Sequence, residues 1–276
     1  MNKVLFLSLA LFCCGLQMQA QTMTENEIMA KLNEASVLDN AKKTAEALDA
    51  FLLIGKNMEQ QRTEVEHQIY VYCQTKACKC YETLNRYEEA YLLAKKLIAG
   101  NLTEKEKKDV GHLYAMNGYM YATSFMHGDN RQLVKARTIL EEIMPYADGK
   151  VKEYALPKIS ESWFFEGAEY QLSQQYDKAL TCYQNALKGY QKLGKTKDEI
   201  SVLRHIAEIK GTLYDVAGSE DAYKQALVLA KQIGKTDVQM EILKELWKLG
   251  NRIGNVQQAQ TYAASIDSLV DVTADL

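Results

Sequence analysis

Proline and turn-forming residues are scarce: only 2 Pro and 15 Gly occur in 276 residues. An all-β sandwich or barrel needs a turn signal about every 8–12 residues, so that class is excluded. With 25% charged and 47% hydrophobic residues the chain is neither collagen-like, mucin-like nor disordered. A net charge of −3 gives no basic footprint for nucleic acid, and no nucleic-acid partner is expected. Beyond residue 20 no stretch is apolar enough to span a bilayer. Histidine is sparse as well. His67, His112, His127 and His205 lie far apart, with no HExxH and no GxSxG, so no metal, cofactor or catalytic set is expected. Acidic pairs such as Glu141 and Glu142 point apart on a helix and read as solvated charge.

The first twenty residues read as a processing segment. Lys3 precedes an apolar run from Val4 to Leu16, about the length of a signal-peptide core. Ala20 offers a small residue before a cut that would leave Gln21 as the new N-terminus, although Met18 is larger than the usual residue two positions upstream. A cut after Ala before Gln resembles that of exported proteins of Bacteroidetes-like bacteria. A periplasmic or secreted location is expected. Cys13 and Cys14 raise a lipid-anchored alternative, but Phe12 is not the small residue a lipobox wants beside its Cys. Of the remaining cysteines, Cys73 and Cys80 share a helical face but sit about 10 Å apart at a rise of about 1.5 Å per residue, too far for a disulfide. Buried thiols are the expectation for Cys73, Cys78, Cys80 and Cys182.

An internal repeat runs through residues 24–270. Tyr183-Gln-Asn-Ala186-Leu187 returns 40 residues later as Tyr223-Lys-Gln-Ala226-Leu227, and Leu193-Gly194-Lys195-Thr196 returns as Ile233-Gly234-Lys235-Thr236. Tyr114, Gly118 and Tyr121 are echoed by Trp163, Gly167 and Tyr170. From Tyr176 the apolar positions 176, 179, 180, 183, 187, 190 and 193 follow the three-and-four spacing of one helical face. A mid-helix Gly costs about 1 kcal/mol against Ala, so Gly167 marks a close helix contact. Each unit reads as two helices.

These residues resemble the tetratricopeptide repeat family. Trp163, Gly167, Tyr170, Ala179, Tyr183 and Ala186 fit its pattern of aromatic and small residues in full. Tyr114, Gly118, Tyr121 and Ala136 fit with an insertion near residues 127–132; Cys78, Tyr81 and Ala90 fit in part, as do Ala207 and Ala226. The outer units keep chiefly Ala47, Phe51 and Ala259. The resemblance implies an all-α fold, a right-handed α-α superhelix (a solenoid) of about six helix pairs over residues 21–276. A period near 40 exceeds the family's usual 34 and implies longer helices.

Gly189-Tyr-Gln-Lys-Leu-Gly194-Lys195-Thr196 satisfies the phosphate-loop pattern GxxxxGK[ST]. That chemistry needs a Gly-rich loop leaving a strand, whereas these residues continue an amphipathic helix. The copy 40 residues on keeps Gly234, Lys235 and Thr236 but has Leu229 for the first Gly. A turn explains what the two share: Gly194 as a helix C-cap, then Thr196 as an N-cap with Glu199 closing a capping box. Thr103 and Glu106 form a second such box, over a sequence that also fits a glycosylation sequon at Asn101.

The resemblance further implies that the first helix of each pair lines a concave, partner-binding face. Carried over position by position, that face takes Tyr72, Thr75, Lys79 and Glu82, then His112 and Tyr119. It continues with Glu161, Phe164 and Gln171, then Arg204 and Glu208, and ends with Lys244 and Lys248. A non-enzymatic scaffold binding a protein or peptide is the function this implies; the alternative is the sensing or interaction part of a larger envelope signalling or effector protein. The last helix carries Tyr262, Ala263, Ile266, Leu269 and Val270 with no polar cap after it, an edge suited to self-association or domain docking.

Overall fold

The computed structural model describes residues 23–274 apart from residue 129. The segment 1–20, with its expected cut after Ala20 and its Cys13 and Cys14, lies outside the described residues. Among those described there is no strand, and the chain forms twelve α-helices: α1 (Glu25–Asn40), α2 (Thr44–Asn57), α3 (Glu64–Thr83), α4 (Tyr87–Ile98), α5 (Glu104–Ser124), α6 (Leu133–Ile143), α7 (Gly149–Leu172), α8 (Tyr176–Leu193), α9 (Thr196–Thr212), α10 (Val216–Gln232), α11 (Thr236–Arg252) and α12 (Val256–Ala274). A short 3-10 turn, Met144–Tyr146, joins α6 to α7. From α1 to α4, and again from α6 to α12, each helix packs on the next in sequence. The fold is therefore all-α, built of repeated helix pairs, with first helices as long as 24 residues in α7. No described helix is long and apolar enough to cross a membrane.

The chain divides into two compact units, Met1–Asn117 and Gly118–Leu276. In the first, Ala47, Leu48, Phe51 and Ile54 give α2 a buried stripe that meets Tyr70, Cys73, Ala77 and Cys80 of α3. In the second, α8 buries Ala179, Tyr183, Ala186 and Tyr190, and α9 to α11 continue the same core through Ile206, Tyr223, Ala226 and Leu246. All four described thiols, Cys73, Cys78, Cys80 and Cys182, are free and buried. Burial pushes those of Cys73 and Cys78 up to about 12 and that of Cys182 up to about 11, so they pack as small apolar groups.

One turn joins most of the helices. A single residue enters the left-handed region at Lys42, Asn85, Gln174, Gly194, Tyr214, Gly234 and Gly254. The residue after each donates its N–H to a carbonyl five positions back, at 2.8–3.0 Å, as in Lys43 to Leu38 and Lys195 to Tyr190. This satisfies carbonyls that a helix end would otherwise leave unpaired. Glycine is used at only three of the seven turns, which is why the composition shows so few turn-formers.

The structure corrects the capping proposed for Thr196. The chain re-enters the helix one residue after Gly194, so Lys195 occupies the N-cap with no side-chain bond and Thr196 already lies inside α9. Lys235 does the same before Thr236. Glu199, freed from any box, is buried, and that burial raises its carboxyl above the ordinary range. The box at Thr103 does form: its N–H and hydroxyl donate to Glu106 Oε2 at 2.8 and 2.7 Å, and Glu106 N–H returns to Thr103 Oγ1 at 3.3 Å.

Glycines inside the helices mark close approaches. A Cβ on Gly167 would touch the Tyr183 ring at 3.0 Å, the contact expected where α7 crosses α8. One on Gly189 would run into Ser160 Oγ. The first glycine of the phosphate-loop look-alike is thus a packing residue in the middle of α8.

Candidate partner-binding surface

First helices touch one another through side chains about one repeat apart. In the first unit Lys76 Nζ of α3 donates to Asp39 Oδ2 of α1 at 2.6 Å, and His67 of α3 lies 3.2 Å from Glu106 of α5. In the second, Gln171 Nε2 of α7 donates to Glu208 Oε2 of α9 at 3.4 Å, and Arg204 of α9 pairs with Glu241 of α11 at 2.9 Å. Three of these contacts, Asp39 to Lys76, Gln171 to Glu208 and Arg204 to Glu241, span 37 residues, a little under one sequence period, so the same rung of a ladder recurs between successive first helices in each unit.

In the second unit the ladder passes through an aromatic and polar cluster. Tyr183 of α8 stacks on His205 of α9 with ring centroids 5.2 Å apart, and Phe164 of α7 lies 5.7 Å from the first ring and 5.4 Å from the second. The Tyr183 hydroxyl donates to Gln171 Oε1 at 2.7 Å, while His205 Nδ1 lies 3.5 Å from Glu208 Oε2. The His205 imidazole beside Glu208, helped by Gln171 and Arg204, holds its carboxyl below the usual range against the opposing effect of burial. Tyr183 is raised well above the ordinary phenol value by burial. Phe164, Gln171, Arg204 and Glu208, named from sequence, therefore belong to one connected patch. Tyr183 reads from sequence as core and His205 as an isolated histidine; the contacts between helices that join them, 12 to 41 residues apart, leave no mark in local periodicity.

The patch borders a cleft of about 290 Å³ between α9, α10 and α11. Glu208 and Lys248 line it together with Ser219, Tyr223, Glu245 and Arg252. Gly211 opens it: a Cβ there would crowd Ser219 Oγ and the Arg252 guanidinium, which donates to the Gly211 carbonyl at 3.4 Å. Lys248 also pairs with Glu245 at 2.7 Å. Lys244 is exposed and lines a separate, open cleft with Trp247 and Ile266. Glu161 is held by Lys158 at 2.6 Å, and the Tyr119 ring lies 6.1 Å from Tyr154.

The first unit carries the other named positions, described separately. Tyr72 is exposed on α3, edge-on to Phe51 at 6.2 Å, with Lys76 Nζ 6.0 Å from its ring centre. Lys79 is exposed, Thr75 and Glu82 are half-buried, and His112 is exposed on α5. No group of three metal-ligating side chains occurs among the described residues.

No family model matches the chain, and no curated protein matches it. Solved structures with a related course of helices include BtubC from P. vanneervenii (11% identity, 84% of this chain and 93% of that one, TM-score 0.41). Others are the C-terminal part of a TPR repeat-containing protein from Cytophaga hutchinsonii (14%, 86% and 94%, TM-score 0.35) and aspartyl phosphate phosphatase F from Bacillus subtilis (11%, 93% and 78%, TM-score 0.41). At these values the likeness says nothing of activity or partner.

Proposed function

We propose that this chain is an exported, non-enzymatic scaffold that binds a protein or peptide segment on the face presented by its first helices. The observation that carries the reading is the patch of Phe164, Gln171, Arg204, His205 and Glu208 beside the cleft of Glu208, Lys248 and Arg252. It combines an aromatic anchor, fixed hydrogen-bonding groups and charges of both signs, the elements from which peptide-binding surfaces are made. It offers a partner a surface held by side chains from successive helices, so binding needs little reorganisation. The cations Lys244 and Lys248 lie on α11 and the aromatic Phe164 on α7. An extended or helical partner would accordingly direct acidic residues to α11 and apolar ones to α7. Export rests on the N-terminal pattern of Lys3, the run from Val4 to Leu16 and Ala20.

Capture of partners from an envelope fraction tests this, with the parent chain compared against Phe164→Ala and against Lys244→Glu with Lys248→Glu. The partner retained by the parent should be lost or strongly reduced with both variants, and only the charge variant should flatten the salt dependence. A partner held equally by all three would refute the assignment of the face.

A further inference from the structure

The outermost described helices carry the two halves of an interface that the interior repeats bury. Helices α9 and α11 correspond residue for residue at an offset of 40, Thr196 to Thr236 through Thr212 to Arg252. Ala207 is fully buried and faces the cleft it shares with Glu245 and Leu249 of α11. Its counterpart Trp247 is 42% exposed and lines an open cleft of about 390 Å³ with Lys244, Lys248, Ala263, Ile266 and Asp267. This cleft lies where the first helix of a following pair would sit.

The opposite surface shows the complementary gap. Pairs α1/α2 and α3/α4 correspond at an offset of 43, since Ala47 and Ala90, Phe51 and Ala94, and Ile54 and Leu97 are all buried. In α3, Cys73 and Cys80 are buried in the core they share with Phe51 and Ile54 of the preceding pair, and Lys76 between them reaches Asp39. Their counterparts on α1 are Ala30, Asn33 and Val37, all exposed, Val37 at 66%. That face of α1 is the one which, one repeat later, packs on a preceding pair.

We propose that a second copy of this chain docks head to tail, seating the Ala30, Asn33 and Val37 face of its α1 in the cleft beside Trp247 and Ile266. The repeat register specifies the occupant, because within the first unit α1 and α2 already seat α3, and within the second α9 and α10 seat α11, in this way. Size agrees: a bulky Trp247 stands where the interior repeat has Ala207, and the docking face offers the small Ala30 where α3 has Cys73. Charge agrees in the main, with exposed Glu27 and Glu34 flanking the α1 face and Lys244 and Lys248 flanking the cleft; Lys31 and Asp267 are the exceptions. The interface is heterologous, so each copy has one donor face and one acceptor face.

Sedimentation of the purified chain, of Val37→Glu, of Trp247→Glu and of their equimolar mixture tests the proposal. The parent should associate as concentration rises, and each variant alone should stay monomeric. The mixture should form dimers and nothing larger, because a Val37→Glu copy keeps an intact acceptor and a Trp247→Glu copy an intact donor. A parent that is monomeric throughout, a Val37→Glu chain that still associates, or a mixture that stays monomeric would each overturn it. Both side chains are exposed, so the melting curves should match the parent's. If either is lowered, Ala30→Trp and Trp247→Gln make the same pairwise test.

Discussion

Arg137 is a charged side chain set into the second unit, and removing it should be among the most damaging single changes. Its guanidinium lies 3.3 Å from the centre of the Trp163 ring and donates to Glu166 Oε2 at 2.7 Å. The two side chains are only 8% and 14% exposed. At an effective dielectric of about 20 their gross attraction is about 6 kcal/mol, most of which offsets the desolvation of both charges. The net pair is therefore weak, but breaking it is costly. Arg137→Ala leaves Glu166 buried without its cation and Trp163 without its stacked partner. The expected loss is about 3–5 kcal/mol. A drop in the melting midpoint of about 10 °C follows for a unit of this size. Arg137→Met with Glu166→Met should recover much of the loss, since no charge is then left unpaired. Urea unfolding followed by circular dichroism, run as a double-mutant cycle, measures the coupling. A loss below about 1 kcal/mol for Arg137→Ala, or a double variant as unstable as the sum of the singles, would refute the reasoning.

Lys195→Ala and Thr196→Ala should each change stability by less than about 0.5 kcal/mol, because neither side chain caps α9, and calorimetry should detect no ATP binding by the parent chain. Glu208 has a lowered carboxyl pKa, so its stabilising contribution is fully present above the unfolded value and is lost as pH falls through the lower folded value. Glu208→Gln should accordingly lower stability at neutral pH and flatten the acid limb of the profile, so that the variant and parent curves converge below about pH 4. Cys73, Cys78 and Cys182 should resist a thiol reagent at pH 8 in the folded chain and react on unfolding, as peptide mapping would show; fast labelling of Cys78 in the native state would contradict its burial. The proposed export and cut after Ala20 predict that mass spectrometry of the mature chain finds Gln21 at the N-terminus, and an acylated Cys or an intact Met1 would contradict that proposal.

The paired helices were legible because burial writes itself into local spacing. Ala179, Tyr183, Ala186 and Tyr190 recur at three- and four-residue steps and all face the core. The turn at Gly194 was legible for a similar reason, since glycine marks a left-handed residue. The same turn at Lys42, Asn85, Gln174 and Tyr214 carries no such mark; there the hydrogen bond five residues back holds the conformation whatever the side chain. Thr196 misled because its spacing to Glu199 fits a box that the short turn leaves no residue to build. On the candidate surface, residue types and helix faces could be assigned in advance. The joining of Phe164, Tyr183, His205 and Glu208 could not, because it depends on how three helices pack.

Hydrogen exchange of the chain with and without its captured partner tests the central claim most directly. If the first helices of the second unit form the binding face, the amides of α7, α9 and α11 should gain protection around Phe164, Glu208 and Lys248, with α8 and α10 little changed. Protection confined to α8 and α10, or to the first unit alone, would contradict the account.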